Sequence, residues 1–383
     1  MGEGLLNQLI TKIILSFSFS FLIQYLVIKL SSRRAFCIDC AETDKPQRFH
    51  SVTTPRAGGL GIFIAFVIGN LSLVLSQLSF VSNPISFTCQ YPLIFSIFPA
   101  FVAGFYEDMG SHISPGFRLF IMIAGSVIAI ILLDAIVYDT GLFRFPRYLA
   151  VPFTVFAIVG VTNSINIIDG FNGLASGVSL IALTSLGLVA YIHGDYLILS
   201  FTLILISSIL GFFAWNFPRG KIFLGDSGAY IIGFLLAILS ILIVKRNPEI
   251  SPWFPLAVLS YPIFETLFSI YRRKFIQKKS PLKNDGLHLH TLIYRRITKG
   301  NPKTSLYIWP LVSFLNILAL IFHSNTFMLI LIFVLFSFSY ICIYQRLVRF
   351  KRVFYKNRLK EKVKMDIPVK NLNSIKVQAK TAS

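Results

Sequence analysis

The stretch NSINIIDGFNGLASG, residues 163–177, carries amide and acid side chains at intervals of three residues between two apolar runs. They are Asn163, Asn166, Asp169 and Asn172, and residues three apart on a helix are neighbours on its surface. The Asp-Gly and Asn-Gly pairs predict turns into the following run. One interpretation is a polar turn between two spans, in which the amides cap helix ends. Because polar groups at membrane depth are costly and usually functional, the spacing favours a site.

A second candidate is the segment FLGDSGA, residues 223–229, in which Asp226 lies between Gly225 and Gly228. An Asp at a helix start is often only a cap. The flanking glycines also let a ligand approach the backbone closely, and the free N–H groups of a helix start face anions. The segment therefore predicts either a cap or a cation–phosphate site.

Two further groups of titratable residues stand near apolar runs. The adjacent acids Glu107 and Asp108 suit metal binding or acid–base work, and simple solvent exposure is the alternative. His288 and His290, in DGLHLH, are candidates for zinc binding, phosphate binding or an ordinary loop. Zinc needs a third ligand, and the sequence around them supplies no His/Cys cluster. Contact with a phosphate or nucleotide is therefore the first interpretation.

The elements that must position these residues are membrane helices. The 383-residue chain is 55% hydrophobic and only 14% charged, against about 25% charged in a soluble domain. Apolar runs of about 20 residues predict an all-α, polytopic membrane protein with about eleven spans, because a backbone in lipid must satisfy its own hydrogen bonds. The predicted spans are 8–30, 57–78, 92–106, 118–137, 149–166, 174–192, 197–215, 228–244, 254–271, 305–322 and 327–345. The first run is expected to be a retained span rather than a cleaved signal peptide, because no basic region precedes it.

Lysine and arginine predict the orientation. Most of the 36 basic residues fall in alternate loops and in the C-terminal tail, and basic loops stay in the cytoplasm. The N-terminus is therefore expected outside, and a transmembrane domain of residues 1–345 is expected to precede a basic cytoplasmic tail, 346–383. The net charge of +20 then reflects this bias and contact with anionic lipid rather than nucleic-acid binding. On this topology the polar segments described above share the cytoplasmic face, which predicts one composite site.

Together these segments resemble the polyprenyl-phosphate N-acetylhexosamine-1-phosphate transferases, glycosyltransferase family 4. The motifs occur in the family's order between about residues 40 and 300: QRFHSVTTPRAGG, the Glu-Asp pair, NSINIIDGFNGL, KIFLGDSGA and SPLKNDGLHLHTLIYRR. The resemblance implies transfer of a sugar-1-phosphate from a UDP-aminosugar to undecaprenyl phosphate in the bacterial inner membrane. It also implies release of UMP, and it allows a homodimer.

The resemblance and the chemistry of phosphoryl transfer assign roles to the candidate residues. Mg²⁺, with Mn²⁺ as a substitute, is expected on Asp226 and the side-chain oxygen of Asn166. The expected catalytic residues are Glu107, Asp108 and Asp169, although the family usually has Asp in place of the first acid. The expected substrate-binding residues are Arg48, His50, Arg56, Asn163, Asn172, Asn216, Phe223, His288 and His290, with Asn216 and Phe223 at positions that contact uridine.

Several alternatives stay open at this point. The donor sugar and its pathway are not set by the sequence. The phospho-MurNAc-pentapeptide transferases typically carry a lysine shortly after their acidic pair and three successive histidines. Here Met109-Gly110-Ser111-His112 and His-Leu-His stand instead, which favours the branch that starts O-antigen or envelope polysaccharides. A transporter would place charges at mid-span, whereas here Glu265 and Asp134 are the main acids away from the cytoplasmic ends. A lipid phosphatase would need a histidine nucleophile and a partner acid on the outer face, where the sequence offers only His193 and His323 in short loops.

Overall fold

The computed structural model describes residues 3–34, 38–39, 54–77, 87–111, 113–278, 280 and 286–365, and these are almost entirely helical. The helices are α1 (Glu3–Arg34), α2 (Gly58–Gln77), α3 (Phe87–Asp108), α4 (Pro115–Leu133), α5 (Arg147–Ile168), α6 (Leu174–Ile192), α7 (Tyr196–Asn216), α8 (Gly225–Arg246), α9 (Trp253–Val258), α10 (Ser260–Tyr271), α11 (Leu289–Ile293), α12 (Asn301–Ile321) and α13 (Thr326–Met365). Strands β1 (Ile38–Asp39) and β2 (Thr54–Pro55) pair antiparallel. Single π-helical turns, Arg272–Ile276 and Tyr294–Thr298, follow α10 and α11.

Eight of these helices are long and apolar enough to cross a membrane. They lie in α1, α4, α5, α6, α7, α8, α12 and the segment Thr326–Val348 of α13. The all-α, polytopic fold class is therefore confirmed, but the count of eleven spans is not. In α2 only Gly58–Leu71 is counted as an apolar helix, and it is shorter than a span.

The predicted span 254–271 is instead two short helices, α9 and α10, separated at Leu259. Pro262 has no N–H to donate to the carbonyl of Val258, the acceptor that a continuous helix would give it. The side chain of Asn316, on α12, donates to that carbonyl over 3.2 Å. The break is thus caused by a proline and stabilised by a neighbouring helix.

Helix α8 forms the core of the bundle, and 94% of its apolar membrane-spanning stretch is buried. Helices α2, α3, α5, α6 and α7 all contact it. Helix α3 approaches it closely at Gly104, where an added Cβ would lie 2.4 Å from the Cα of Ser227. Only glycine allows α3 to lie this close, and the approach sets the carboxyl end of α3 beside the first turn of α8.

The chain divides into two units, residues 1–336 and 337–383, and α13 begins in the first and continues in the second. The candidate residues discussed below belong to the first unit. The predicted boundary between a transmembrane domain and a tail at 345/346 stays a prediction, as does the outward orientation of the N-terminus.

Candidate active site

The first unit contains a cavity of about 1000 Å³ at the carboxyl end of α5 and the amino end of α8. Ten of the predicted site residues line it: Arg56, Asn163, Asn166, Asp169, Asn172, Asn216, Phe223, Asp226, His288 and His290. Segments far apart in sequence therefore converge, as the sequence predicted. Arg48 and His50 lie outside the described residues.

The cavity has two kinds of wall. The polar residues just named form one part. The other part lies between α4 and α5 and is apolar, with Leu119, Met122, Val155, Phe156 and Val159 among its residues. Phe156 and Leu119 are 68% and 45% exposed, so this wall is continuous with the outer surface of the bundle. The cavity thus has a polar, charged part and an apolar part that opens to the surface of the bundle.

Asp226 lies in the first turn of α8, and its carboxylate accepts a hydrogen bond of 3.1 Å from the guanidinium of Arg56. Backbone bonds between two loops fix this pair: Phe223 donates to the Pro55 carbonyl, and Gly58 donates back to the Phe223 carbonyl. Arg56 partly neutralises Asp226 before any ligand is present. The second carboxylate oxygen of Asp226 has no hydrogen bond within the described part of the chain.

Asp108 lies behind this carboxylate and does not line the cavity. It is 4% exposed and accepts hydrogen bonds from the N–H of Asp226 over 2.7 Å, the N–H of Ser227 over 3.0 Å, and the Ser227 hydroxyl. Burial and the nearby charge of Asp226 raise the pKa of Asp108, which the bonds from Ser227 oppose. Asp108 therefore caps α8 and fixes the position of Asp226.

Glu107 also lies behind the cavity wall. Its carboxylate accepts a 2.9 Å hydrogen bond from the hydroxyl of Tyr230 and lies 3.7 Å from the guanidinium of Arg118. Arg118 does line the cavity, so Glu107 acts on the cavity through Arg118. The sequence analysis missed Arg118 and Tyr230. Arg118 could have been identified from the sequence, because it is the first Lys or Arg after the acidic pair.

The helical spacing on α5 is confirmed, because Asn163, Asn166 and Asp169 all line the cavity. Asn163 donates to the Val159 carbonyl one turn earlier, over 2.8 Å. The side chains of Asn166 and Asp169 make no hydrogen bond within the described residues. Burial raises the pKa of Asp169 to about 7, with Arg56 opposing the rise and the charge of Asp226 adding to it. These oxygens are open to a ligand in the cavity.

Two predicted substrate-binding amides are already used to hold loops together. Asn216 accepts from the N–H of Gly173 over 2.7 Å and donates to the carbonyl of Ile222 over 2.8 Å. Asn172 donates from its side chain to the Pro218 carbonyl over 3.1 Å. Both residues line the cavity, and these bonds position the turns after α5 and α7. Their contact with substrate stays a prediction.

The two histidines are buried and stacked, with ring centroids 5.2 Å apart. His288 Nδ1 lies 2.9 Å from the carboxylate of Glu265, and His288 Nε2 lies 3.1 Å from the guanidinium of Arg273. A guanidinium only donates, so Nε2 is the acceptor and Nδ1 carries the proton given to Glu265. His290 Nδ1 lies 3.2 Å from the hydroxyl of Tyr261. Burial lowers the pKa of His290 to about 3, so it is neutral at pH 7.

Glu265 and Arg273 are the other site residues that the sequence analysis missed. Glu265 is fully buried on α10, and its carboxylate also accepts the N–H of Leu289, which fixes the start of α11. In the sequence it stands out as an acid within a largely apolar run. The sequence analysis considered it only in connection with a transporter. Arg273 was counted among loop charges, yet it is 6% exposed and lines the cavity.

Among the residues that the structure describes, no three His, Cys, Asp or Glu side chains group closely enough to hold a metal ion. A zinc site of that kind at the histidines is therefore not formed by those residues. Asp226, Asn166 and Asp169 still present oxygens to one cavity. That donor set suits Mg²⁺, which usually keeps several waters and takes one or two carboxylates plus substrate oxygens.

Comparison with known proteins places the chain in a family. The model of glycosyl transferase family 4 matches residues 91–244, from α3 to α8. A Bacillus subtilis protein, the probable undecaprenyl-phosphate N-acetylglucosaminyl 1-phosphate transferase, is 32% identical over 348 residues, covering 88% of this chain and 93% of the relative. The chain belongs to glycosyl transferase family 4. The resemblance drawn from the motifs is thereby confirmed.

Two further relatives are less similar to this chain. The Thermotoga maritima undecaprenyl-phosphate alpha-N-acetylglucosaminyl 1-phosphate transferase is 29% identical over 309 residues, covering 79% of this chain and 89% of the relative. A Streptococcus pneumoniae phospho-N-acetylmuramoyl-pentapeptide-transferase is 26% identical over 283 residues, covering 70% and 83%. The first two relatives match more of this chain, at higher identity, than the third.

Proposed function

We propose that this family member transfers an N-acetylhexosamine-1-phosphate, with N-acetylglucosamine as the first candidate, from a UDP-sugar to undecaprenyl phosphate. The observation that carries the proposal is the cavity, in which Asp226, Asp169 and Arg56 share one space with an apolar wall that reaches the surface of the bundle. A charged nucleotide-sugar and a lipid phosphate need that combination. The names of the two relatives with the higher identities support the same reaction.

In the proposed reaction, an oxygen of the lipid phosphate attacks the phosphorus that carries the sugar. A new P–O bond forms, the bond to the UMP oxygen breaks, and UMP leaves with the electron pair. A phosphate monoester is largely ionised at pH 7, because its second pKa is near 6, so the acceptor needs no strong base. The work left to the protein is positioning and charge neutralisation.

The described residues divide that work. Arg56, Arg118 and Arg273 line the cavity and supply positive charge for the phosphates. Asp108 holds the start of α8 and thereby holds Asp226. Asp169 and Asn166 present oxygens beside it. Neutral His290 and the Glu265-oriented His288 form the facing wall, where they would position the donor rather than exchange a proton with it.

Mg²⁺, with Mn²⁺ as a substitute, is part of the proposal. Asp226 and Asn166 would hold it, and when bound it would neutralise charge on the phosphates. The two protein ligands leave most of the octahedral positions to water and substrate oxygens. Arg56, paired with Asp226 here, would then turn toward a phosphate.

The acceptor lipid would lie along the apolar wall between α4 and α5, with its phosphate at the charged end. The basic loops favour a cavity on the cytoplasmic face of the bacterial inner membrane, where UDP-sugars are found. In this orientation the product would begin a lipid-linked O-antigen or envelope polysaccharide.

Release of UMP tests the function. Purified protein in detergent, Mg²⁺ and undecaprenyl phosphate would be incubated separately with UDP-GlcNAc, UDP-GalNAc and UDP-MurNAc-pentapeptide. We expect release with an N-acetylhexosamine donor, dependent on both lipid and metal. Release with the pentapeptide donor alone would assign the chain to the reaction named for the Streptococcus pneumoniae relative. No release with any donor, from protein that melts cooperatively, would contradict the proposal.

A further inference from the structure

The end of the first unit opposite the cavity contains a second group of titratable side chains. The cavity is bordered by the amino ends of α6 and α8, whereas His193 follows the carboxyl end of α6 and Glu249 follows that of α8. His323 lies beyond the carboxyl end of α12. The Nε2 atoms of the two histidines are 3.1 Å apart, with the rings inclined at 78°.

The outer nitrogen of each ring has a partner of its own. Nδ1 of His323 lies 2.8 Å from the carbonyl oxygen of Leu320. Nδ1 of His193 lies 3.6 Å from the carboxylate of Glu249, which is an ion-pair distance. The histidine side chain at 193 is only 12% exposed, whereas that of Glu249 is 83% exposed. Four ring nitrogens thus take part in three contacts.

The number of protons decides what these contacts can do. A carbonyl only accepts, so Nδ1 of His323 carries a proton. The Nε2 pair then needs one proton, which His193 must supply. With two neutral rings, Nδ1 of His193 is left as a lone pair facing a carboxylate. If His193 instead protonates Nδ1, two Nε2 lone pairs face each other at 3.1 Å. A third proton on the pair satisfies all three contacts at once.

The other charged side chains described at this end have partners or positions of their own. Asp195 is held by the guanidinium of Arg246 over 2.7 Å and by Asn247, and Asp134 is paired with Lys245. Of the remaining charged groups at this end, Asp139 accepts the N–H of Gly141, Arg144 lies in the connection between α4 and α5, and Arg147 is the first residue of α5. The side of His323 away from His193 meets the ring of Phe254, which is uncharged. Among the described groups, Glu249 is therefore the anion in ion-pair contact with this pair of rings, through His193.

We propose that His193, His323 and Glu249 form a proton-dependent clasp that joins three loops at this end of the protein. Two neutral rings carry two N–H protons between them. The clasp closes when the pair binds a third proton, because His193 then donates to both His323 and Glu249. The clasp also bears on α9, because the carbonyl of His323 accepts the N–H of Ser251 over 3.0 Å, two residues before that helix. The clasp therefore closes on acidification of the compartment it faces.

Thermal melting of the full chain in detergent tests the clasp. The folded protein gains the extra contact only when protonated, so the stabilisation is present at low pH and is lost as pH rises. Wild type should melt about 1–3 °C above Glu249→Gln at pH 5.5, and the difference should vanish at pH 8.5. Asp139→Asn, an exposed acid whose amide still accepts from Gly141, should give the same difference at both pH values. A pH-independent difference for Glu249→Gln would overturn the proposal.

A spectroscopic measurement keeps the test independent of folding. The chain has six histidines, so ¹⁵N-histidine labelling, with assignment through His193→Asn and His323→Asn, is practicable. We expect nitrogen–nitrogen scalar coupling between the two Nε2 atoms and a third proton on the pair at pH 5.5. Loss of the third proton by pH 8.5 would support the clasp, and two independently titrating rings would overturn it. Stabilisation of wild type by micromolar Zn²⁺, lost in His193→Asn, would assign the nitrogens to a metal and also overturn it.

Discussion

Nδ1 of His288 lies 2.9 Å from the carboxylate of Glu265, and both side chains are almost completely buried. The acid comes from a helix that begins at a break, and the histidine comes from the loop beyond it. Glu265→Gln removes the charge that orients the ring and holds the start of α11. We expect turnover to fall by about 10- to 100-fold and stability to fall by about 1–3 kcal/mol, because a buried charged hydrogen bond is lost.

The control for this substitution is Glu249→Gln, which removes an acid far from the cavity. UMP release and melting temperature are measured on both variants at pH 8.5, where the control should behave like wild type. Normal turnover in Glu265→Gln would show that the orientation of His288 does not matter for the reaction.

Asp226→Asn tests the proposed metal site. Asn keeps the size of the side chain and its position beside Asp108, but it lacks the charge that Mg²⁺ requires. Turnover should fall on the order of a thousandfold, which corresponds to about 4 kcal/mol of transition-state stabilisation. The melting temperature should change little, since the ion pair with Arg56 is part-exposed. The measurement is UMP release across a Mg²⁺ titration. Retention of more than about a tenth of the activity would remove Asp226 from the metal site.

Asp169 predicts an acidic limb in the pH profile. Burial raises its pKa to about 7, and its proposed role needs the ionised form. The value of kcat/KM should therefore fall as pH drops below about 7. Asp169→Asn should abolish the limb together with most of the activity. A limb unchanged in position in the residual activity of the variant would assign it to another group.

The same residue predicts an opposite effect on stability. A carboxyl whose pKa is raised on folding stabilises the native state at acidic pH, and that contribution is lost as pH rises through about 7. Asp169→Asn should therefore melt higher than wild type at pH 8, and by less at pH 5, which lies between the unfolded and folded pKa values. Melting curves of the two proteins at both pH values check this. An equal difference at both values would contradict the assigned pKa.

Arg118 is expected to bind a substrate phosphate, and Glu107 and Tyr230 to hold it in place. Arg118→Gln should raise KM by about 10- to 100-fold, because a charge-assisted hydrogen bond is lost. Tyr230→Phe removes only the hydroxyl that donates to Glu107 and should raise KM in the same direction by less. Steady-state kinetics with the UDP-sugar and the lipid varied separately identify which substrate the arginine holds. Equal kinetics in wild type and Arg118→Gln would exclude the role.

The orientation in the membrane can be tested by cysteine labelling. Ser280 is exposed in the loop after α10, and Arg144 is exposed between α4 and α5. With the cavity in the cytoplasm, an impermeant thiol reagent should label Arg144→Cys in intact cells and Ser280→Cys only after permeabilisation. The reverse pattern would place the cavity outside.

The sequence was sufficient where a short-range pattern determines the geometry. Asn163 and Asn166 lie on α5 and Asp169 directly follows it, so their convergence follows from a period of 3.6 residues. It was insufficient where two distant elements determine a role. The catalytic role of Asp108 stays a prediction, but its place under the amino end of α8 depends on the close approach of α3 and α8 at Gly104. No local pattern contains that contact.

The number of spans shows the same limit. Residues 254–271 are predominantly apolar, with Glu265 as their single charged residue, and this pattern predicts one span. The break depends on Pro262 and on an amide supplied by Asn316, more than fifty residues later. The proline alone was a weak signal, since membrane helices tolerate proline when neighbours satisfy the backbone. The buried glutamate and the proline three residues before it together would have been stronger.

The break at Leu259 also separates two tasks that a continuous helix would combine. Because the Val258 carbonyl is satisfied from α12, the direction of α10 is not dictated by α9. The wall that carries Glu265 and the histidines can therefore be re-aimed by small changes at one joint, while the carboxylates on α5 and α8 stay in place. A lineage of such enzymes could adapt to new donor sugars through substitutions at this joint, leaving its phosphate chemistry unaltered.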